Sequence, residues 1–236
     1  CGHKSFVIMA GALDGMDVEA EQYSHEDVTG VGYGICSFIP KAQDEKRHFL
    51  KARLQIVQDE IEQKRFNSDE YVNLARASAE YFVTNGKVMP VPDWVSQELL
   101  HKTAGAFVSV HKFGALRGCI GTIASTQKNL ALEIIENAVS AVSKDPRFSP
   151  VTQDELKYLD INVDVLGEAE KIKSPSELDV KKYGVIVQSR YKRGLLLPDL
   201  EGVDTVEQQI DIARRKGGIA PGEKIDLFRF EVVRHY

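Results

Sequence analysis

Leu116-Arg117-Gly118-Cys119-Ile120-Gly121-Thr122 is the stretch on which the fold turns. It follows another strand-like run, Ala106–Lys112, across Phe113-Gly114, and the two runs read as a β-hairpin. Alternation along the second strand sends Arg117, Cys119 and Gly121 to one face and Leu116, Ile120 and Thr122 to the other. Glycine weakens a strand unless something approaches its backbone closely, so Gly118 and Gly121 point to a close neighbour, a ligand among the candidates. A guanidinium on the face of a thiol favours the thiolate, the reactive form. Two readings follow. Cys119 is a nucleophilic or ligand-contacting thiol in a small-walled pocket, or it is a small buried cysteine packed where the glycines leave room.

Downstream of the hairpin, Leu130–Val142 carries Leu130, Ile134 and Ala138 at helical spacing and ends at Asp145-Pro146. Thr152-Gln153-Asp154-Glu155 is a capping box, followed by alternation over Leu159–Leu166. Tyr183–Val187 and Gly194–Leu197 read as a second hairpin over a polar tip, Gln188–Arg193. Asp204–Arg215 is a helix closed by Gly217-Gly218, and Leu227–Val233 is a final strand. Upstream, Asn67-Ser68-Asp69-Glu70 opens a helix from a cap at Asn67 that runs to Asn85-Gly86. Residues 44–66 form a solvated helix with one apolar stripe, Leu50, Leu54, Val57 and Ile61. Residues 1–40 hold an apolar segment, Ser5–Leu13, and two short strands, Val18–Tyr23 and Val31–Phe38. They are too few to enclose a core alone. Helices interspersed with hairpins predict an α+β fold of mainly antiparallel sheets flanked by helices.

Two further elements carry candidate chemistry. Asp145-Pro-Arg-Phe-Ser-Pro150 is a proline-rigid loop. Its Arg147 either clamps a carboxylate or phosphate beside Cys119 or, with Asp145, satisfies a helix end and turn. His111 is a candidate partner for the Cys119 thiol. HExxH, paired CxxC and P-loop signatures are absent.

Composition bounds the function classes. The 236 residues are 43% hydrophobic and 28% charged, which excludes a disordered or low-complexity chain. The longest apolar stretch, Phe6–Leu13, is too short to span a bilayer. Three cysteines far apart in sequence argue against a disulfide framework and for a reducing cytoplasm. The net charge of −5 resides in residues 1–40, which hold one lysine and six acids, so the remaining body is balanced. Such a body draws neither phosphate backbones nor anionic membranes, and nucleic acid is disfavoured as a partner.

The heptapeptide resembles the LRGCIGT hallmark of the AMMECR family. The likeness extends over residues 67–236 through Ala106–Val110, Asp145–Pro150, Tyr183–Val187, Arg193–Pro198 and Arg229–His235. Residues 1–40 resemble the C-terminal end of a Memo-like, LigB-type class III extradiol dioxygenase domain, on Cys1-Gly2, Ala12–Gly15 and Gly30–Gly34. The two parts together are similar to the A proteins of the bacterial and archaeal AmmeMemoRadiSam system. The resemblance implies three segments: a dioxygenase-like remnant at 1–40, a charged helical linker at 41–66, and an AMMECR domain of two α+β sub-parts at 67–236.

The same resemblance implies an accessory protein of a radical-SAM-linked modification system, with a radical SAM protein and a Memo-like protein as partners. A small molecule or partner segment would bind at Arg117, Gly118, Gly121 and Thr122, with Arg147 and His111 alongside. The rival reading is a thiol-dependent enzyme with Cys119 as nucleophile, Arg117 lowering its pKa, and Arg147 or His111 assisting. In Memo-like domains a cysteine at the place of Cys1 binds a metal together with histidines that this sequence lacks. Cys1 is thus one ligand of an incomplete site, and dioxygenase activity is not expected from the chain as given. No cofactor is expected for the AMMECR domain; iron or another divalent metal is expected only with an upstream dioxygenase-like domain.

Overall fold

The computed structural model describes residues 3–28 and 31–236. Cys1, the expected metal-ligand position, and Gly2 and Gly30 lie outside them. The chain divides into one unit ending at Glu60 and a second from Ile61 to Tyr236. Among the described residues no helix is long and apolar enough to cross a membrane.

In the first unit, helix α1 (His3–Ala12) precedes a two-stranded antiparallel ribbon, β1 (Met16–Val28) and β2 (Val31–Gln43). Both strands are longer than the sequence pattern suggests. Pro40 lies inside β2 rather than at a boundary, next to a register shift where Asp17 faces Ala42 and Val18 faces Pro40. A bulge in a two-stranded ribbon tolerates the missing N–H. Gly15, at φ +80°, turns the chain into β1. Asp14 Oδ1 accepts from the amide of Phe49 at 2.8 Å, at the start of helix α2 (Phe49–Asn67). No residue of α1, β1 or β2 whose side chain is described is buried, and Ile8, Tyr33 and Ile35 are each more than 60% exposed. One short helix and one ribbon cannot surround a core, as their size dictates.

The second unit has two α+β sub-parts. The first is a four-stranded sheet in the order β10-β5-β3-β4, from β3 (Ala106–Lys112), β4 (Ala115–Gly121), β5 (Leu159–Leu166) and β10 (Val232–His235), all antiparallel. Helices α3 (Glu70–Asn85) and α5 (Leu130–Ser143) bury their apolar stripes on one face of it, and Leu74, Ile134, Val108, Val110 and Val163 are fully enclosed there. A five-residue helix, α4 (Gln97–His101), packs at the end of α5. The second sub-part is another antiparallel sheet, in the order β6-β9-β7-β8. Its strands are β6 (Glu170–Ile172), β7 (Gly184–Ser189), β8 (Lys192–Leu196) and β9 (Asp226–Phe230). Helix α6 (Val206–Lys216) covers it, with Ala213 buried. A third cluster, with Leu166, Ile186, Leu195 and Phe230, joins the two sheets. The α+β expectation matches this architecture.

The hairpins lie where their turns place them. Phe113 (φ 54°) and Gly114 (φ 79°) are the two left-handed residues of a tight turn whose twist suits antiparallel strands. The β7–β8 tip is only Arg190-Tyr191, because Ser189 and Lys192 already pair. Two expectations change. Helix α3 is capped by Asp69, whose Oδ1 accepts from the amides of Tyr71 (3.0 Å) and Val72 (3.2 Å), whereas Asn67 ends α2. Glu70 reaches the Ser96 amide instead of closing a capping box. The last strand is in fact two, β9 and β10, in different sheets. Between them Glu231 accepts from the Gly167 amide at 2.8 Å.

Candidate functional site

The hairpin register rearranges the heptapeptide. Ser109 faces Cys119 and Val110 faces Gly118, after which His111 faces Leu116. Arg117 is the extra residue of a β-bulge, and the alternation shifts by one position there. Leu116, rather than Arg117, therefore shares the face of Cys119, and both line a cleft of about 450 Å³ between the sub-parts of the second unit.

Arg117 does not serve the thiol. Its Nε and Nη2 donate to Glu155 Oε1 (3.1 Å) and Oε2 (2.9 Å), and Nη1 donates to the Ser149 carbonyl at 2.9 Å. Lys112 Nζ also reaches Glu155, at 2.8 Å. The Arg117 guanidinium, with the help of Lys112, holds the Glu155 carboxyl down to about 2, against the opposing effect of burial. This cluster ties the hairpin to the turn at Gln153–Tyr158.

The glycines bare no backbone for a ligand. A Cβ on Gly118 would lie 2.1 Å from the carbonyl oxygen of Ala141, because α5 rests directly on β4. A Cβ on Gly121 would meet the Phe107 ring at 2.2 Å and the Ala106 carbonyl at 2.5 Å. The second sub-part repeats the device: a Cβ on Gly194 of β8 would lie 1.9 Å from the Ala213 carbonyl of α6. Thr122 is likewise structural. Its hydroxyl donates to Glu133 Oε1 at 2.6 Å, and Glu133 also accepts from the Thr126 (2.7 Å) and Gln127 (2.9 Å) amides. Burial alone would raise the Glu133 pKa, but these donors outweigh it and hold the carboxyl below its ordinary value.

Cys119 is half-buried, and its thiol accepts from the Ser109 hydroxyl at 3.2 Å. Burial pushes this thiol above its ordinary pKa; the Ser109 bond and the charge of Arg147 offset only part of that. His111 lines the same cleft but makes no hydrogen bond to the sulfur. The arrangement favours a neutral thiol, and the expected Arg117–Cys119 pairing is absent.

Arg147 does reach the cleft. Asp145, with its side chain 2% exposed, accepts the Cys119 amide at 2.9 Å, the Arg147 amide at 3.1 Å and the Arg147 fork at 2.9 and 2.6 Å. The Arg147 guanidinium and these amides hold the Asp145 carboxyl well below the usual carboxylate range. Asp145 thus braces strand β4 rather than a helix end, and Arg147 Nη2 donates to the Cys119 carbonyl at 3.3 Å.

Sequence reasoning missed the far wall. On β5, Asn162 and Asp164 turn toward the cleft, while Ile161 and Val163 face the helices. Asp164, whose side chain is also 2% exposed, accepts from Arg234 Nε of β10 at 2.6 Å. Lys216, from the last turn of α6, is part of the lining. The strict alternation of polar and apolar residues from Asp160 to Val165 was the available signal. Among the described residues no group of three or more His, Cys, Asp or Glu side chains converges as a metal site.

Comparison with known proteins finds chains similar to this one. A protein of Clostridium acetobutylicum is 45% identical over all of this chain, and the chain spans 50% of that relative's length. A Thermotoga maritima protein is 50% identical over 167 residues, which cover 70% of this chain and 96% of the relative. The crystal structure of an uncharacterized protein from Pyrococcus horikoshii superposes with a TM-score of 0.63 at 30% identity, covering 70% of this chain and 88% of that one. Residues 72–235 match the AMMECR1 family.

Proposed function

The chain belongs to the AMMECR1 family, and from the geometry of its cleft we propose that the second unit is a binding module rather than a thiol enzyme. One observation carries the choice: the bulge at Arg117 gives the guanidinium to Glu155, so the Cys119 thiol keeps a raised pKa beside Ser109. A small molecule or a segment of a partner would occupy the space above Cys119, with Arg147 and His111 at its edges. The role we assign is that of an accessory protein in a radical-SAM-linked modification system, its partners a radical SAM protein and a Memo-like protein. Residues 1–40 belong, in this reading, to the end of a Memo-like domain. Their unburied apolar side chains and the half-length match to the Clostridium acetobutylicum relative support it.

Alkylation tests the central choice. Iodoacetamide labelling of the folded protein, followed by mass spectrometry across pH, is expected to reach half its maximal rate at Cys119 only above the free-thiol value of about 8.5. A half-point well below that value restores the nucleophile reading. The half-exposed Cys36 serves as the internal comparison.

A further inference from the structure

Taking the cleft as a binding site, we propose that its ligand is a small organic carboxylate with an apolar body. Two guanidinium groups reach the lining from opposite walls, Arg147 and Arg234. Each is backed by a carboxylate with its side chain 2% exposed, Asp145 and Asp164 respectively. A guanidinium fixed from behind by an acid keeps a preset orientation: Arg147 spends Nε and Nη2 on Asp145 and the Cys119 carbonyl and keeps its Nη1 hydrogens for a carboxylate oxygen, while Arg234 gives Asp164 only its Nε. Each such pair is close to neutral as a whole, with its acid sealed in the protein and its cation at the cleft.

Lys216 breaks this balance. It lines the same space and forms no ion pair among the described residues, whereas its neighbours Arg214 and Arg215 are both paired with Asp211. Asp145, Asp164 and the arginine and lysine side chains of the lining therefore sum to about one positive charge. A monoanion neutralises it; a phosphate monoester, with ~1.5–2 negative charges at neutral pH, leaves an excess. Leu116, Leu196, Leu197 and Leu200 form the apolar part of the lining, beside the polar Asn162 and Tyr236, and suit a hydrocarbon body.

Four probes decide the matter, each titrated into the 15N-labelled chain: hexanoate, hexanol and hexylammonium, which are matched in size, and inorganic phosphate, which has no apolar body. Hexanoate is expected to shift the amides around Cys119, Asn162 and Arg234, and to bind more weakly as salt is added. Lys216→Met is expected to weaken it roughly tenfold while leaving the melting temperature unchanged. Hexanol binding as well as hexanoate, phosphate binding better than hexanoate, or an unaltered affinity in Lys216→Met overturns the carboxylate and leaves the cleft a binding site. If none of the four moves the cleft amides, the carboxylate proposal fails and the small-molecule form of the binding-module reading fails with it.

Discussion

Gly118→Ala is expected to destabilise the second unit by roughly 3 kcal/mol or more, near the upper end of the overpacking range. The added methyl would sit 2.1 Å from a helix carbonyl, and neither partner can yield by turning a side chain, since both are backbone. Either α5 lifts from β4, opening the interface that encloses Ile134 and Val110, or the strand bends at its bulge. At ~2–4 °C per kcal/mol for a chain of this size, thermal unfolding should occur at least about 6 °C lower. Gly114→Ala is the control for conformation alone, because nothing lies within 4 Å of its Cβ position although φ is +79°. A Gly118→Ala protein that melts like the wild type would show that the helix does not rest on this strand, and would return Gly118 to the list of ligand contacts.

Glu155→Ala is expected to cost roughly 3 kcal/mol at pH 7, because it leaves the Arg117 charge, with its side chain 14% exposed, without its acid. Lys112, at 27%, recovers water more readily and adds less. The effect depends on pH in a defined direction. With the folded carboxyl held down to about 2, against ~4.3 unfolded, its stabilisation is complete above the unfolded value and is lost as pH falls toward 2. Urea unfolding of wild type and variant should therefore show a gap that narrows by roughly 1 kcal/mol between pH 7 and pH 3.5. A gap that stays constant over that range would mean the side chain stabilises by packing and not by charge.

Both predictions concern residues that a sequence reader assigns to ligand binding or to capping, and the reason is physical. The hairpins were legible because a two-residue turn with Phe113-Gly114 constrains its own neighbours. The bulge was not, since an extra residue leaves the composition of β4 unaltered and shows only in its partner strand. Gly118 and Gly121 correctly signalled a close approach. What approaches Gly121 is Phe107, its partner across the hairpin, whereas Gly118 meets Ala141 on a later helix, a contact that leaves no trace in local pattern. Arg147 sits on a loop short enough to read, and a position beside Cys119 is one of its two readings, whereas the Asp164–Arg234 pair depends on β5 and β10 being neighbours. That adjacency was hidden because Leu227–Val233 alternates as though it were one strand, and the five residues of α4 were too few to show a period.

The crossing at Glu231 has a mechanical corollary. One short length of backbone is stitched into both sheets, with a single residue between the stitches, so the walls around Cys119 behave as parts of one frame and not as jaws. If the cleft binds a guest as proposed, the aperture that guest finds is set when the chain folds rather than when it arrives.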